Sequence, residues 1–183
     1  PMTAFALRGA LITFAGDPFA DGIAAARRYE PDAIVAIEDG RIRDCGPAAE
    51  VSRRLPADVP VTAYANALIT AGFVDAHVHF PQLPIIGAGG KPLLDWLATY
   101  TYPAEERYAD ADYARAVAHV YLRENLRNGI TTAAVFGTVH AASVDALFEE
   151  ADLEGLRLVA GKVLMDRNAP AALRDTAQLG YDE

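Results

Sequence analysis

Residues 71–80 decide the fold and read Ala71-Gly72-Phe73-Val74-Asp75-Ala76-His77-Val78-His79-Phe80. In an extended strand, successive side chains point to opposite faces, so His77 and His79 project the same way, about 6–7 Å apart along the strand. We expect Phe73 and Asp75 to share that face. The other face is expected to carry Val74, Ala76 and Val78. The stretch is therefore predicted to be a buried strand whose last two inward positions carry nitrogen ligands.

Two imidazoles on one face of a strand form a metal-ligand geometry. In isolation, a His-x-His tripeptide more often marks two surface histidines or two histidines with other partners. Here apolar residues fill the other face, so the two histidines end a core strand and the metal interpretation is favoured. Imidazole suits zinc and iron alike, so the motif does not choose the metal.

These residues resemble a known family. Gly72 to His79 is similar to the first-strand signature of the amidohydrolase superfamily, metal-dependent hydrolases built on a (β/α)8 barrel with a small β-sandwich beside it. Further segments resemble the guanine deaminases within that superfamily, namely Pro81-Gln82, Leu93 to Leu97 with Tyr100 to Glu105, and Gly161 to Asn168. The resemblance covers most of the chain from about Leu68 onward.

The resemblance implies an α/β fold and a division of the chain. Residues 1–66 would form an N-terminal β-sandwich segment. Residues 67–183 would form the first three β/α units of an incomplete TIM-like barrel, the N-terminal part of a (β/α)8 metal-dependent hydrolase barrel.

The resemblance also implies an activity, the hydrolysis of guanine to xanthine and ammonia. A zinc or iron ion held in part by His77 and His79 would supply hydroxide, and Gln82 would read the edge of the purine. Trp96, on a short helix, would shape the entrance of the substrate pocket. Guanine deaminases are commonly dimers, so a homodimer is expected.

Composition and charge exclude several classes of protein. The chain has 183 residues and a formal net charge of −9, which repels nucleic-acid phosphates but not a neutral purine. The single cysteine, Cys45, excludes an internal disulfide and a multi-thiolate zinc site, and it fits a reducing cytoplasm. No run is long enough to span a bilayer, and residues 1–14 lack the pattern of a signal peptide. We expect a cytoplasmic protein without nucleic-acid or membrane partners.

The first third of the chain is predicted to be sheet. Residues 5–14 and 32–38 have the pattern of strands, and Asp39-Gly40 predicts a type I′ hairpin turn into a third strand at residues 41–46. Residues 16–31 are predicted to be a loop with a short helical turn. Pro47 to Leu55 is predicted to be a helix with proline in its first turn. Nothing in this part carries chemistry.

From Pro92 onward, helices and strands alternate. Helices are predicted at residues 92–100, 108–128 and 143–153, the second ended by Asn128-Gly129 and the third capped by Ser143. Strands are predicted at residues 130–136 and 156–165. This alternation favours a parallel sheet with right-handed crossovers.

Several polar residues follow the predicted strands. His140 lies just past residues 130–136, on the side where barrel enzymes keep their chemistry, but the resemblance gives it no ligand role. Asp166 and Asn168 lie at the equivalent end of the next strand. They are candidate pocket residues, with capping of the following helix as the alternative. His119, inside a helix, is expected to be a packing or surface residue.

The chain is too short for a whole barrel, which takes roughly 250 residues. About 115 residues follow Leu68. The superfamily's other metal ligands and its catalytic glutamate come from later strands, so no catalytic residue is identified here. An open three-stranded sheet would expose a large apolar patch. We therefore expect a partner surface, most simply the missing C-terminal half of the same enzyme.

Two alternatives stay open. The first is another amidohydrolase that acts on a different ring, such as a chlorohydrolase or a cytosine-type deaminase. The second is an inactive fragment or a non-catalytic subunit. The thiolate-zinc nucleobase deaminases are excluded because they need more than one cysteine.

Overall fold

The structure is a computed structural model that describes residues 4–182. Its contacts divide the chain into two compact units, Pro1–Ala71 and Gly72–Glu183. The predicted boundary between residues 66 and 67 lies within the strand Val61–Ile69, and the division into domains stays a prediction. Among residues 4–182, no helix combines the length and apolar character needed to cross a bilayer.

The first unit is built on one four-stranded sheet. Its strands are β1 (Ala4–Phe14), β2 (Arg27–Glu38), β3 (Arg41–Pro47) and β4 (Val61–Ile69), in the order β3-β2-β1-β4. β4 runs parallel to β1, and the other neighbours are antiparallel. Two single-turn helices complete the unit, α1 (Ile23–Ala26) and α2 (Ala48–Val51). Its main buried cluster consists of Ala6, Ile34, Ala36, Ala48 and Val51.

The hairpin predicted at Asp39-Gly40 is confirmed. The two residues have φ angles of 49° and 74°, and a type I′ turn needs positive φ at both positions. The strand before the turn was predicted too short, because β2 already begins at Arg27 and continues through Pro31. The register between β1 and β2 shifts opposite Pro31. A proline is tolerated at such an irregularity because no ladder N–H is required there.

The helix predicted at Pro47 to Leu55 is only one regular turn. Pro47 is the last residue of β3, and α2 follows it. The N–H of Leu55 still donates to the carbonyl of Val51 at 3.0 Å, but the chain then leaves the helical path. Pro56 explains the stop, because a proline disfavours helical backbone in the residue before it.

The second unit is built on a parallel three-stranded sheet in the order β5-β6-β7, which confirms the predicted alternation. The strands are β5 (Phe73–His79), β6 (Ile130–Phe136) and β7 (Arg157–Gly161). A 3-10 turn (Phe80–Ile85), α3 (Leu93–Trp96), a π turn (Leu97–Thr101) and α4 (Tyr102–Glu106) follow β5. The crossover helices are α5 (Ala111–Arg127) and α6 (Ala141–Glu154), and α7 (Ala177–Asp182) comes last.

The helix ends show one success and one error of the sequence analysis. α5 ends as predicted at Asn128-Gly129, where Gly129 has a φ of 80°. α6 is preceded by His140 and not capped by Ser143. Ser143 is buried inside the first turn, where its hydroxyl lies 2.7 Å from the Thr138 hydroxyl and donates to the His140 carbonyl at 2.8 Å. The serine therefore closes the turn before the helix.

β7 is shorter than the predicted strand at residues 156–165. Its last residue, Gly161, is level with Phe136, the last residue of β6, and beyond them the N–H of Val163 donates to the carbonyl of Thr138 at 3.0 Å. The chain then leaves the sheet. Lys162 forms an ion pair with Asp175 at 2.7 Å, and the two side chains are 9% and 11% exposed.

The helices pack on one face of this sheet, which we call the covered face. Its strand residues include Ala133 and Val135, and its helices contribute fully buried residues such as Leu122 and Leu147. Within residues 4–182 the opposite face carries no such layer, and we call it the open face. Val74, Phe136 and Val159 on the open face are 68%, 47% and 72% exposed. The prediction of a buried β5 is therefore wrong for this chain, because β5 is an edge strand covered on one side.

The register between β5 and β6 shifts at two points, between Phe73 and Val74 and between Asp75 and Val78, and the second concerns the candidate site. Asp75 is level with Ala133, and Val78 is level with Val135, so the two residues between them on β5 lie opposite one residue of β6. A β-bulge of this kind shifts the alternation by one position. Asp75 is thus in register with the covered face, and the prediction that it shares a face with the two histidines is wrong.

Candidate functional site

His77 and His79 lie side by side at the C-terminal end of β5. Their ring centroids are 5.2 Å apart, with an interplanar angle of 68°. Both rings lie against Phe136 of β6, His77 at 5.2 Å and His79 at 4.7 Å in a stacked arrangement. Because His79 and Phe136 are level in the parallel ladder, the sheet itself holds the two imidazoles on the open face.

The segment after the strand fixes His79 and brings Gln82 to it. Phe80 is fully buried and meets the Tyr108 ring edge to face at 5.3 Å. The Tyr108 hydroxyl donates to the Pro81 carbonyl at 3.2 Å. The chain therefore turns over an anchored pair of residues, and the side-chain nitrogen of Gln82 lies 3.4 Å from Nδ1 of His79.

The electrostatics at His79 favour a neutral imidazole. Burial lowers the pKa of His79, and the neighbouring His77 lowers it further. A metal ligand must present an unprotonated nitrogen, so this shift suits coordination. At 3.4 Å, the side-chain N–H of Gln82 can donate to the unprotonated Nδ1 of a neutral His79 ring.

The donor set fits part of a metal site. Imidazole nitrogens suit zinc and iron, but a catalytic zinc site takes three protein ligands. Among the residues that the structure describes, no group of three or more His, Cys, Asp or Glu side chains could hold a metal ion. His77 and His79 can therefore supply two of the ligands.

A cavity of about 560 Å³ opens beside the two histidines. This volume lies within the range of small-molecule sites, roughly 300–1,000 Å³. Gln82 and Trp96 line it together with the histidines, and α5 contributes Tyr121 and Asn125. Its apolar lining includes Val78, Leu83, Ile85, Ile86, Ala88 and Ile130.

Of the candidate pocket residues, Trp96 lies in the wall of this cavity. Its indole N–H donates to the Ala88 carbonyl at 2.9 Å. Asp166 and Asn168 are exposed and lie elsewhere; Asp166 lines a separate cavity of about 240 Å³ together with Asp175. They are displaced because β7 ends at Gly161, well before them. The roles of these residues in binding stay predictions.

Neither of the other two histidines lines this cavity: His119 has a carboxylate partner, whereas the buried Nε2 of His140 has no hydrogen-bond partner within residues 4–182. Nδ1 of His119 lies 3.2 Å from a carboxylate oxygen of Glu150 on α6, and its side chain is 46% exposed, which confirms a surface residue between two helices. The backbone N–H of His140 donates to the Thr138 hydroxyl at 3.1 Å. Burial lowers the pKa of His140.

Sequence reasoning missed several residues around the two histidines and the cavity. Phe136 could have been found, because it ends the strand predicted beside His79. Tyr121 and Asn125 could not, because the helical period of α5 shows only which residues pack. Burial raises the pKa of Tyr121 to about 12, and the nearby Asp75 carboxylate also raises it, which agrees with the position of Asp75 on the covered face.

Comparison with known proteins gives a consistent result. Residues 68–182 match the model of the Amidohydrolase family. The guanine deaminase of Escherichia coli (strain K12) is 46% identical over 161 residues, which are 88% of this chain and 37% of that protein.

Solved structures agree with the sequence relatives. The guanine deaminase from Bradyrhizobium japonicum has a TM-score of 0.90 and 36% identity, over 98% of this chain and 39% of that one. A guanine deaminase from C. acetobutylicum with bound guanine in the active site has a TM-score of 0.80 and 27% identity, over 98% and 41%. An adenosine deaminase from Xanthomonas campestris with bound zinc shares the fold, with a TM-score of 0.75 and 22% identity, over 97% and 37%.

The chain spans about 40% of the length of the proteins it matches. The family match begins before β5 and extends through α7, so it includes both histidines, Gln82 and the whole parallel sheet. A match over more than half of the chain places the two-histidine strand within one recognised group of hydrolases. The chain belongs to the amidohydrolase family.

Proposed function

We propose that this chain is the N-terminal part of a metal-dependent guanine deaminase, which hydrolyses guanine to xanthine and ammonia. The observation that carries the proposal is the pair of imidazoles of His77 and His79, 5.2 Å apart, beside a cavity of small-molecule size. The similarity to guanine deaminases over most of the chain supports this substrate.

His77 and His79 would hold the metal, which we propose to be zinc, with iron as the alternative. When bound, such a metal lowers the pKa of water and supplies hydroxide near neutral pH. The chain's own contribution would be to hold both imidazoles against the Phe136 ring, with the Gln82 amide beside His79, whose pKa is lowered by burial. The remaining ligands and the catalytic glutamate would come from the rest of the enzyme.

Gln82 is proposed to read the purine edge. Its amide can donate and accept hydrogen bonds, as the polar edge of guanine also does. Its side-chain nitrogen lies 3.4 Å from Nδ1 of His79, one of the two proposed metal ligands. The apolar lining would cover the faces of the planar ring, and Trp96 would shape the wall of the cavity. Asp166 and Asn168 stay candidate pocket residues, although neither of them lines this cavity.

The proposed enzyme has a (β/α)8 barrel and a β-sandwich. The second unit would supply the first three β/α units of the barrel, and the sheet of the first unit would contribute to the sandwich. The open face would then be the inside of the barrel, covered by the missing C-terminal half. A homodimer in the cytoplasm belongs to the same proposal.

Turnover by the complete enzyme that contains these residues is the decisive test. We expect conversion of guanine to xanthine, release of ammonia, and a metal content that both His77→Ala and His79→Ala remove. The rival substrates are tested in parallel. Chloride release from a chlorotriazine, or deamination of cytosine, in the absence of xanthine would contradict the proposal.

The isolated chain provides the matching control. Its mass is 19.5 kDa, and with two of the ligands it is expected to bind metal weakly and to produce no xanthine. Turnover by this chain alone would show that the missing ligands are not needed, and it would overturn the proposed division of the site.

A further inference from the structure

One wall of the cavity is a glycine-rich turn. Residues 85–90 read Ile-Ile-Gly-Ala-Gly-Gly, and Gly87 and Gly90 have φ angles of 84° and 81°. Ile86 in this turn is 82% exposed, so burial does little to hold it. Glycine loses more backbone freedom on ordering than any other residue. A turn of this composition therefore needs a contact from outside to stay in one conformation.

That contact comes from the indole of Trp96 on α3. Its N–H donates to the Ala88 carbonyl at 2.9 Å, across eight residues, and the bond is partly buried. The bonds inside the turn are local: the N–H of Ile86 donates to Leu83 at 3.2 Å and the N–H of Ala88 to Ile85 at 2.9 Å. The indole bond is what joins the turn to the helix that follows.

The turn and the indole both face the site of binding. Ile85, Ile86, Gly87 and Ala88 line the same cavity as His79 and Gln82, and so does Trp96 itself. The position of this wall thus depends on a hydrogen bond to a backbone carbonyl. Without the bond, the turn would populate several conformations, and a ligand would have to order it on binding, which weakens affinity.

We propose that the Trp96 indole, through its hydrogen bond to the Ala88 carbonyl, positions residues 85–88 as a wall of the substrate cavity and so sets the affinity for a planar purine. The identity of the ligand rests on the proposed function. Trp96 acts through the turn and takes no part in the reaction, so it is a positioning residue.

The first test removes only the hydrogen bond. In the 183-residue chain, Trp96 is replaced by 3-benzothienylalanine, in which sulfur takes the place of the indole N–H and the shape is kept. We expect hydrogen exchange of the Ile86 and Ala88 amides to be about fivefold faster, because a single hydrogen bond is lost. The amides of α5 should exchange at the parent rate. Unchanged exchange in the turn would overturn the proposal.

A matched pair of glycines tests the turn independently. A Cβ added at Gly89 or at Gly90 meets no atom within 4 Å, but of the two only Gly90 has a positive φ. Gly90→Ala should therefore strain the turn and speed exchange at Ala88, whereas Gly89→Ala should match the parent. Equal effects of the two substitutions would contradict a role for the conformation of the turn.

The last test measures affinity in the complete enzyme. The benzothienyl variant should raise KM for guanine about fivefold with kcat and metal content unchanged, and 5-fluorotryptophan, which keeps the N–H, should restore KM. A fall in kcat at constant KM would overturn the positioning role. A parent enzyme that makes no xanthine would contradict the proposed function, whereas the amide exchange of the turn is measured without any substrate.

Discussion

The two faces of the β5-β6-β7 sheet differ in burial and in the residues that they carry. On the covered face, Ala133 of β6 and Leu147 of the packed helix α6 are fully buried. On the open face, Val159 and Phe136 are 72% and 47% exposed, and His77 and His79 lie there. Burial of apolar area is what stabilises a fold. The covered face therefore stabilises this unit, while the open face carries the two candidate metal ligands.

The largest expected effect separates function from stability on the open face. His79→Ala in the complete enzyme should remove bound metal and reduce turnover on the order of 10³-fold or more, because metal chemistry supplies several kcal/mol of the rate enhancement. The free energy of unfolding of the isolated chain should change by less than about 1 kcal/mol. Metal analysis, guanine turnover and urea unfolding measure the three quantities. Normal metal content with full activity would remove His79 from the site.

The converse substitution is on the covered face. Leu147→Ala should lower the free energy of unfolding by about 2–5 kcal/mol, because it leaves a cavity among buried side chains. Leu153→Ala, on the same helix but 79% exposed, is the control and should cost less than about 0.5 kcal/mol. Similar losses in both variants, measured by urea unfolding, would mean that α6 is not packed as described.

A buried carboxyl on the helical side gives a pH dependence. Burial raises the pKa of Glu105 to about 7, and the residue is 7% exposed. The folded state therefore binds a proton more tightly than the unfolded state, so its contribution to stability is fully present below the ordinary pKa of 4.5 and is lost as the pH rises through 7. The Glu105→Gln variant should be more stable than the parent at pH 8 by roughly 1–3 kcal/mol and about equal to it at about pH 4. Urea unfolding of both proteins at the two pH values measures this difference. A variant that is more stable than the parent by the same amount at both would show that Glu105 does not titrate between them.

Gln82 lies beside His79 in the wall of the cavity, and its substitution should weaken substrate binding without removing the metal. In the complete enzyme, Gln82→Ala should raise KM for guanine roughly tenfold, the value of one lost hydrogen bond, and leave the metal content unchanged. Steady-state kinetics and metal analysis are measured on the same preparation. Unchanged kinetics would exclude a role in substrate binding, and a loss of metal would show that the amide mainly orients His79.

The smallest effect concerns the open face itself. Val159→Ser should change the stability of the isolated chain by less than about 0.5 kcal/mol, because the side chain is already in water. In the complete enzyme the same substitution should cost more, since the proposed barrel covers this face. Equal effects in the two contexts would mean that the open face stays exposed.

The sequence predicted elements whose signal is local. Residues 130–136 became β6 without a change of boundary, because a β-branched apolar run between a glycine and a glycine has few other solutions. Asp39-Gly40 formed the expected turn because it needs only two residues with positive φ. The first part of β2 was missed because a proline such as Pro31 usually indicates a loop. The register shift between β1 and β2 that accommodates this proline is not visible in the sequence.

The candidate site was only partly predictable, because a local pattern does not show how neighbouring strands pair. His77 and His79 follow from a two-residue period, and the structure places them on one face. Asp75 follows from the same period but is in register with the other face, because the bulge after it is set by pairing with β6. Asp166 was expected at a strand end that the register of β6 and β7 places at Gly161. The pairing between neighbouring strands decides these positions, and a local sequence pattern does not show that pairing.

Trp96 has a spectroscopic consequence, because it is the single tryptophan of the chain. Its indole is partly buried and its N–H is bonded to a carbonyl, so its emission should lie to the blue of an indole in water. Any event that opens the turn should shift that emission to the red. A coloured ion such as Co²⁺ bound by the two histidines should quench it. The unlabelled chain therefore carries its own optical reporter of the cavity.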